Sequence, residues 1–145
     1  MLVADTDFLT AFIKIQSVDK VLEIFEEDKI IIPVQVEEEL LKDLEENIAE
    51  NIKVKNIEPI QAPEIGKGER AAIALASEND LLLMKDRKAC QKAEQHELKT
   101  VTIPGFLKLA AKKLKQEEIQ NIADKLRDKD NYLFSEEEKK ELNMD

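Results

Sequence analysis

Residues 81–86, Leu81-Leu82-Leu83-Met84-Lys85-Asp86, decide the fold class. Four consecutive apolar residues are too few for a helix, and they lack the polar alternation of a strand with one wet face. Bounded by Asn79-Asp80, the run reads as a strand buried on both faces. The chain opens in the same way: Leu2-Val3-Ala4 is wholly apolar, and Asp5-Thr6 follows at once. Three further short runs complete the set. They are Ile30-Ile31-Ile32, a weaker segment at 53–57 marked by Val54 and Ile57, and Val101-Thr102-Ile103 within 100–103.

The segments between these runs carry helical spacing. Phe8, Leu9, Phe12 and Ile13 form one stripe, and Val18, Val21, Leu22 and Phe25 renew it after Gln16-Ser17. Pro33 is placed to open a helix with the face Val36, Leu40, Leu41 and Leu44. Gly66-Lys67-Gly68 leads into a helix from Glu69 to Glu78, whose packing face is Ala71, Ala72, Leu75 and Ala76. Asp86 opens another helix through Glu97, and Pro104-Gly105 a Lys-rich one carrying Leu107, Ala110, Ala111 and Leu114. Buried strands alternating with amphipathic helices predict a three-layer α/β fold, a five-stranded parallel sheet flanked by helices. Right-handed crossovers put the carboxyl ends of all the strands at one edge, where open α/β sheets hold their sites.

A length of 145 residues fits a single domain over 1–145, with a core at 1–115 and a helical tail at 116–145. In the tail, Ile119, Ile122, Ala123 and Leu126 mark one short helix, and Ser135 with Glu138 forms a capping box before another. The last residues are expected to fray, and the tail carries no recognisable chemistry.

Charge and composition narrow the function. The formal net charge is −10, so a nucleic-acid role requires a local basic patch or bound cations. The single cysteine, Cys90, excludes an intrachain disulfide and a Cys-rich zinc site, and suits an apolar helix position better than a reactive thiol. The single histidine, His96, excludes HExxH and reads as a solvent-facing helix residue. Met1–Leu9 holds two aspartates and no basic segment, and no apolar run approaches the roughly 18 residues a membrane span needs. The expected compartment is the cytoplasm, with no membrane association.

The carboxylates remain. Asp5 directly follows the first strand, and Asp86 lies two residues past the apolar core of the fourth, so both emerge at one edge. Each alone would serve equally as a helix N-cap. Glu69 stands in a first helical turn behind two glycines that permit close backbone approach; the segment lacks the spacing of a phosphate loop. In Glu37-Glu38-Glu39 each residue is turned about 100° from the last, so one or two face inward. Glu39, three residues after Val36 and next to Leu40, sits at the boundary of the apolar stripe, but spacing alone leaves the choice open. An oxygen-only donor set of this kind suits Mg²⁺ or Mn²⁺, and crowding the acids without a cation would raise at least one pKa.

In order, these segments resemble the PIN domain family, in particular its small VapC-like prokaryotic members, from Met1 to about Lys115. Leu2-Val3-Ala4-Asp5-Thr6 resembles the family's first-strand motif. Ile32-Pro33-Val34-Gln35-Val36-Glu37-Glu38-Glu39-Leu40 resembles its second acidic segment, which assigns Glu39. The stretch from Gly66 through Glu69 to Ala76 resembles its GxGExxA helix, and Leu82–Ala89 its fourth-strand segment, with Asp86 before Arg87. The resemblance implies a Mg²⁺- or Mn²⁺-dependent endoribonuclease, with Asp5, Glu39, Glu69 and Asp86 as catalytic and metal-binding residues. It also implies an RNA substrate, a homodimer, and for toxin members a small antitoxin partner. Apolar residues of helices 7–25 offer a dimer face.

Lys85 stands where this subgroup commonly has the first acid of a pair, and Thr102-Ile103-Pro104-Gly105 offers no acid after the fifth strand. Lys85, Arg87 and Lys88 are the cations placed to meet substrate, joined by Lys108, Lys112, Lys113 and Lys115. Thr6 and Thr102 offer hydroxyls to water or phosphate. Two other readings compete. One is a catalytically weak PIN-fold protein acting through protein partners, in keeping with Lys85 and the absent fifth acid. The other, a receiver-like phosphoacceptor, needs a paired early acid motif that the spacing does not supply.

Overall fold

A computed structural model describes residues 1–44 and 51–145, leaving the side chains at 43 and 44 aside. Leu44, expected on a helix face, thus lies outside the described side chains.

The chain alternates strands with helices: β1 (Leu2–Ala4), α1 (Thr6–Lys14), α2 (Val18–Phe25), β2 (Ile30–Pro33), α3 (Val34–Leu44) and β3 (Ile52–Lys55). There follow α4 (Lys67–Leu75), β4 (Leu81–Leu83), α5 (Arg87–Gln95), β5 (Lys99–Val101), α6 (Ile103–Ala110), α7 (Gln116–Asp130) and α8 (Glu136–Glu141). The five strands pair in parallel in the order β3-β2-β1-β4-β5. This is the expected three-layer α/β architecture, with β1 in the middle of the sheet.

Strand pleating divides the core between two faces. Leu2, Ala4, Ile30, Ile32 and Leu83 join one cluster with residues of α1, α2, α3, α6 and α7; Val3, Leu82 and Met84 join a second with residues of α4 and α5. The first holds the bulky rings, with Phe12 stacked 5.0 Å from Phe8 and edge-on 5.2 Å from Phe106. The second is built of small residues, Ala72, Ala89 and Ala93 among them, which bring α4 and α5 close to the sheet.

The observed boundaries differ from the expected ones for local reasons. Pro33 ends β2, in register with Lys55, and α3 begins after it. β3 lies slightly earlier than the 53–57 segment, with Ile52 as its buried residue. Helix α4 starts at Lys67 and stops at Leu75, short of Glu78, because Asp80 closes the following turn. Its Oδ2 accepts from Ser77 N at 2.8 Å and Ser77 Oγ at 3.0 Å, and its Oδ1 lies 3.2 Å from the Met1 amino group. Those contacts outweigh burial and hold the Asp80 carboxyl below its usual range. β5 ends at Val101 because Thr102 turns to cap α6, its Oγ1 accepting from Gly105 N at 3.2 Å.

The tail also departs from expectation. α7 is one 15-residue helix whose Ile119, Ile122, Ala123 and Leu126 are buried in the first cluster. Both bonds of the Ser135–Glu138 capping box are present. The final residues are tied rather than frayed: Gln116 Nε2 donates to the carbonyls of Leu142 and Asn143 at 2.8 and 2.9 Å, and Leu142 is buried. Of the apolar stripe over 7–25, Phe8, Leu9, Phe12, Val21 and Leu22 are buried in the chain's own core, and Ile13 and Phe25 pack against it partly buried. Among the described residues, no helix is long and apolar enough to cross a membrane.

Candidate functional site

Asp5 sits where the central strand becomes a helix. Its N–H donates to Leu83 O at 3.0 Å, extending the β1–β4 ladder by one residue. Its Oδ1 accepts from Phe8 N at 2.9 Å and so caps α1. Capping uses one oxygen only. The other, Oδ2, is buried without a hydrogen-bond partner, on a side chain 0% exposed. Burial, reinforced by repulsion from Asp7 and Glu69, pushes the Asp5 carboxyl up to about 8 against the relief given by the Phe8 N–H and, to a smaller extent, the Lys85 N–H.

Asp86 stands at the carboxyl end of the neighbouring strand β4. It caps α5 in the same manner, Oδ2 accepting from Ala89 N at 3.1 Å, but it is exposed. Glu69, half-buried in the first turn of α4, is raised by its burial and then by the charges of Asp86, Asp7 and Glu39. Glu39 reaches this group across α4. A side chain on Gly68 would collide with the Glu39 carboxylate and stand 2.9 Å from Thr6 Oγ1, so the bare Gly68 backbone makes room for both. Thr6 itself is buried, and its hydroxyl oxygen has no hydrogen-bond partner.

The sheet edge thus brings Asp5, Glu39, Glu69 and Asp86 within electrostatic reach of one another through Glu69. It adds Asp7, which no motif in the sequence singles out. Asp7 is exposed in the first turn of α1 and acts on both Asp5 and Glu69. Its one sequence signal is the two-residue spacing from Asp5, which any acid favoured at a helix start would share.

The expected substrate contacts are distributed unevenly. Lys85 Nζ donates to Asp130 Oδ2 at 3.1 Å, while Lys14 Nζ reaches the other oxygen of Asp130 at 3.3 Å. The Asp130 side chain, at the end of α7, is 5% exposed, so the tail supplies a sheltered carboxylate to this edge. Arg87 and Lys88 are exposed beside it. Thr102 spends its oxygen on the α6 cap but still borders a cleft with Lys85 and Arg87. Lys108 is paired with Glu141, and Lys113 donates to Ile24 O and Glu26, which ties both into the fold. His96 is exposed, and Cys90 is buried, its thiol pushed up to about 11 by burial and by the charge of Asp5.

Among the described residues, no group of three or more His, Cys, Asp or Glu side chains is arranged to hold a metal ion. The donor chemistry nonetheless fits a hard divalent cation. The acids offer oxygen only, they repel one another, and Asp5 Oδ2 is a buried acceptor with no hydrogen-bond partner in the fold.

A family model described as a PIN domain matches residues 1–143. Comparison with curated proteins and with solved structures gave no match.

Proposed function

The chain belongs to the PIN domain family, and from that premise we propose that it is a Mg²⁺- or Mn²⁺-dependent endoribonuclease that hydrolyses RNA phosphodiester bonds. The observation that carries this reading is Asp5 Oδ2, a buried and unpartnered carboxylate oxygen at the end of the central strand, with further acids around it.

Asp5 and Asp86 would hold the ion from the ends of β1 and β4, with Glu69 and Glu39 completing the donor set or orienting a water. When bound, such an ion supplies a more acidic water and neutralises charge that builds on a phosphoryl group. Glu69, raised by its partial burial and then by its acidic neighbours, is suited to accept the proton of the attacking water. Gly68 keeps the Glu39 carboxylate and the Thr6 hydroxyl at the same edge. Arg87 and Lys88 meet the RNA backbone.

The resemblance of the four acidic segments to VapC-like proteins extends the reading. The chain is then a single-domain cytoplasmic toxin, homodimeric and held in check by a small antitoxin. The lack, among the described residues, of three acids arranged for a metal favours a second reading, a catalytically weak PIN-fold protein acting through protein partners. One assay separates the two. Labelled RNAs of several sequences are incubated with the protein in Mn²⁺, Mg²⁺ or EDTA beside Asp5→Asn. Cleavage that needs the metal and falls at least about 100-fold in Asp5→Asn supports the nuclease. Intact RNA alongside calorimetrically demonstrated Mn²⁺ binding overturns it.

A further inference from the structure

Strand order places Asp5 mid-sheet, with the ends of β2 and β3 on one side and those of β4 and β5 on the other. On the β4–β5 side, a cleft of about 540 Å³ opens between the sheet edge and the C-terminal tail. Lys85, Arg87, Thr100, Thr102 and Tyr132 line it. Lys85 and Arg87 are the two chain neighbours of Asp86, so the cleft begins one residue from a candidate ligand.

Tyr132 is held there by construction. Asn131 adopts a left-handed conformation (φ 56°) that ends α7 and turns the chain, and Tyr132 N donates back to Leu126 O at 3.2 Å. Phe134 braces the ring edge-on at 4.8 Å. The ring packs partly buried against the first core cluster. The Lys85 ammonium, held by Asp130, lies over it 5.7 Å from the centroid, near the outer limit of a cation–π contact, so a base stacks there by displacing that weakly held ammonium. The cleft therefore pairs an aromatic platform with a guanidinium next to the acids.

Charge decides how such a site holds its ligand. Asp130 already balances Lys85, and Glu94 and Glu138 face the same cleft. The lining has no cationic excess with which to grip a polyanion, so affinity must come from stacking, which sequence-tolerant single-strand binders obtain from aromatic rings. A duplex, whose bases are already stacked on one another, cannot supply a free base.

The geometry points to a base-binding subsite for single-stranded RNA in this cleft, with Tyr132 as the stacking platform and Arg87 on the adjacent phosphate; it rests on the ribonuclease reading above. The subsite sits beside the scissile position, and the tail, 45 residues from Lys85 in sequence, completes it. Purines, with larger faces, are held better than pyrimidines.

The test uses the full chain carrying Asp5→Asn, so that bound RNA stays intact, and measures fluorescence anisotropy with labelled oligoadenylate and oligouridylate. Adding Tyr132→Ala is expected to weaken oligoadenylate binding about 5- to 100-fold and to erase the preference for adenine; Tyr132→Phe retains both. Arg87→Gln, at an exposed position, is expected to weaken both oligonucleotides alike. Tyr132→Leu, which keeps apolar bulk and removes the aromatic face, decides the matter by loss of the adenine preference if Tyr132→Ala does not fold. Binding by both variants equal to that of the parent, with the wild-type protein cutting RNA, overturns the subsite and leaves the nuclease standing. A wild-type protein that neither binds nor cuts RNA overturns both.

Discussion

The carboxylate of Glu39 occupies the space that a side chain on Gly68 would need. Three glutamates in a row gave helix α3 no way to announce which one turns toward the sheet edge, and the close approach to Gly68 is what distinguishes Glu39. Thr6 Oγ1, 2.9 Å from the same imagined Cβ, makes the crowding two-sided.

Gly68→Ala should therefore separate activity from stability. Alanine in a helix favours folding by up to about 1 kcal/mol over glycine, and that gain offsets the shift a new Cβ forces on the Glu39 carboxylate, the far end of a flexible side chain, and on the Thr6 hydroxyl. RNA cleavage should fall at least about 10-fold while the melting temperature moves by only a few degrees. Glu38→Gln, on an exposed neighbour, should leave cleavage near the wild-type rate. A Gly68→Ala protein of full activity would show that Glu39 has no part in the reaction.

Asp130 makes a second separation available. Its sheltered carboxylate holds Lys14 at 3.3 Å and Lys85 at 3.1 Å, and the two lysines are 41% and 30% exposed. With partners that open to water, the loss in Asp130→Asn should be about 1–2 kcal/mol, a fall of about 2–6 °C in thermal melting. The same change leaves two ammonium groups without their acid beside the cleft. RNA affinity at low salt should rise, and its salt dependence should steepen. Loss of both stability and affinity would mean that Asp130 serves RNA binding only by keeping the tail in place.

How much of this was legible in the sequence follows from the range of the interactions. The β1 and β4 runs are apolar at every position, which only a doubly covered strand explains, and Asp5 and Asp86 follow from where those runs stop. Glu69 was legible through the glycines before it. Asp7 was not, since an exposed acid in a first turn looks like ordinary dipole complementation. Asp130 could not be read at all, because its partners lie 116 and 45 residues away. The stripe over 7–25 was legible as apolar, but not what most of it packs against, because the α6 and α7 residues that share its cluster come about a hundred residues later.

Cys90 should prove inert. Its thiol is 5% exposed and pushed up to about 11, so at pH 8 only about 0.1% of it is thiolate. An aromatic disulfide reagent at pH 8 should label the native protein on the timescale of local opening and the guanidinium-unfolded protein at once. Equally fast labelling of both would place the thiol at the surface.

Asp5 ties stability to pH and, on the proposed reading, to a metal ion. Its ordinary value is 3.8 and burial lifts it to about 8, so between these limits the folded chain holds a proton that the unfolded chain has lost. Stability from this group is undiminished below about pH 4, falls as pH rises, by at most about 1.4 kcal/mol per unit, and levels off above about pH 8. Asp5→Asn keeps an oxygen for the Phe8 N–H and removes the titration. The variant should melt progressively higher than wild type as pH rises from 4 to 8. On the proposed metal-dependent reading a divalent cation should reverse the comparison, by binding the ionised carboxylate and stabilising only the folded state. At pH 8, Mn²⁺ should raise the melting temperature of wild type and leave that of Asp5→Asn unchanged. Parallel melting curves across pH, with and without Mn²⁺, would remove Asp5 from the metal site and from the nuclease reading with it.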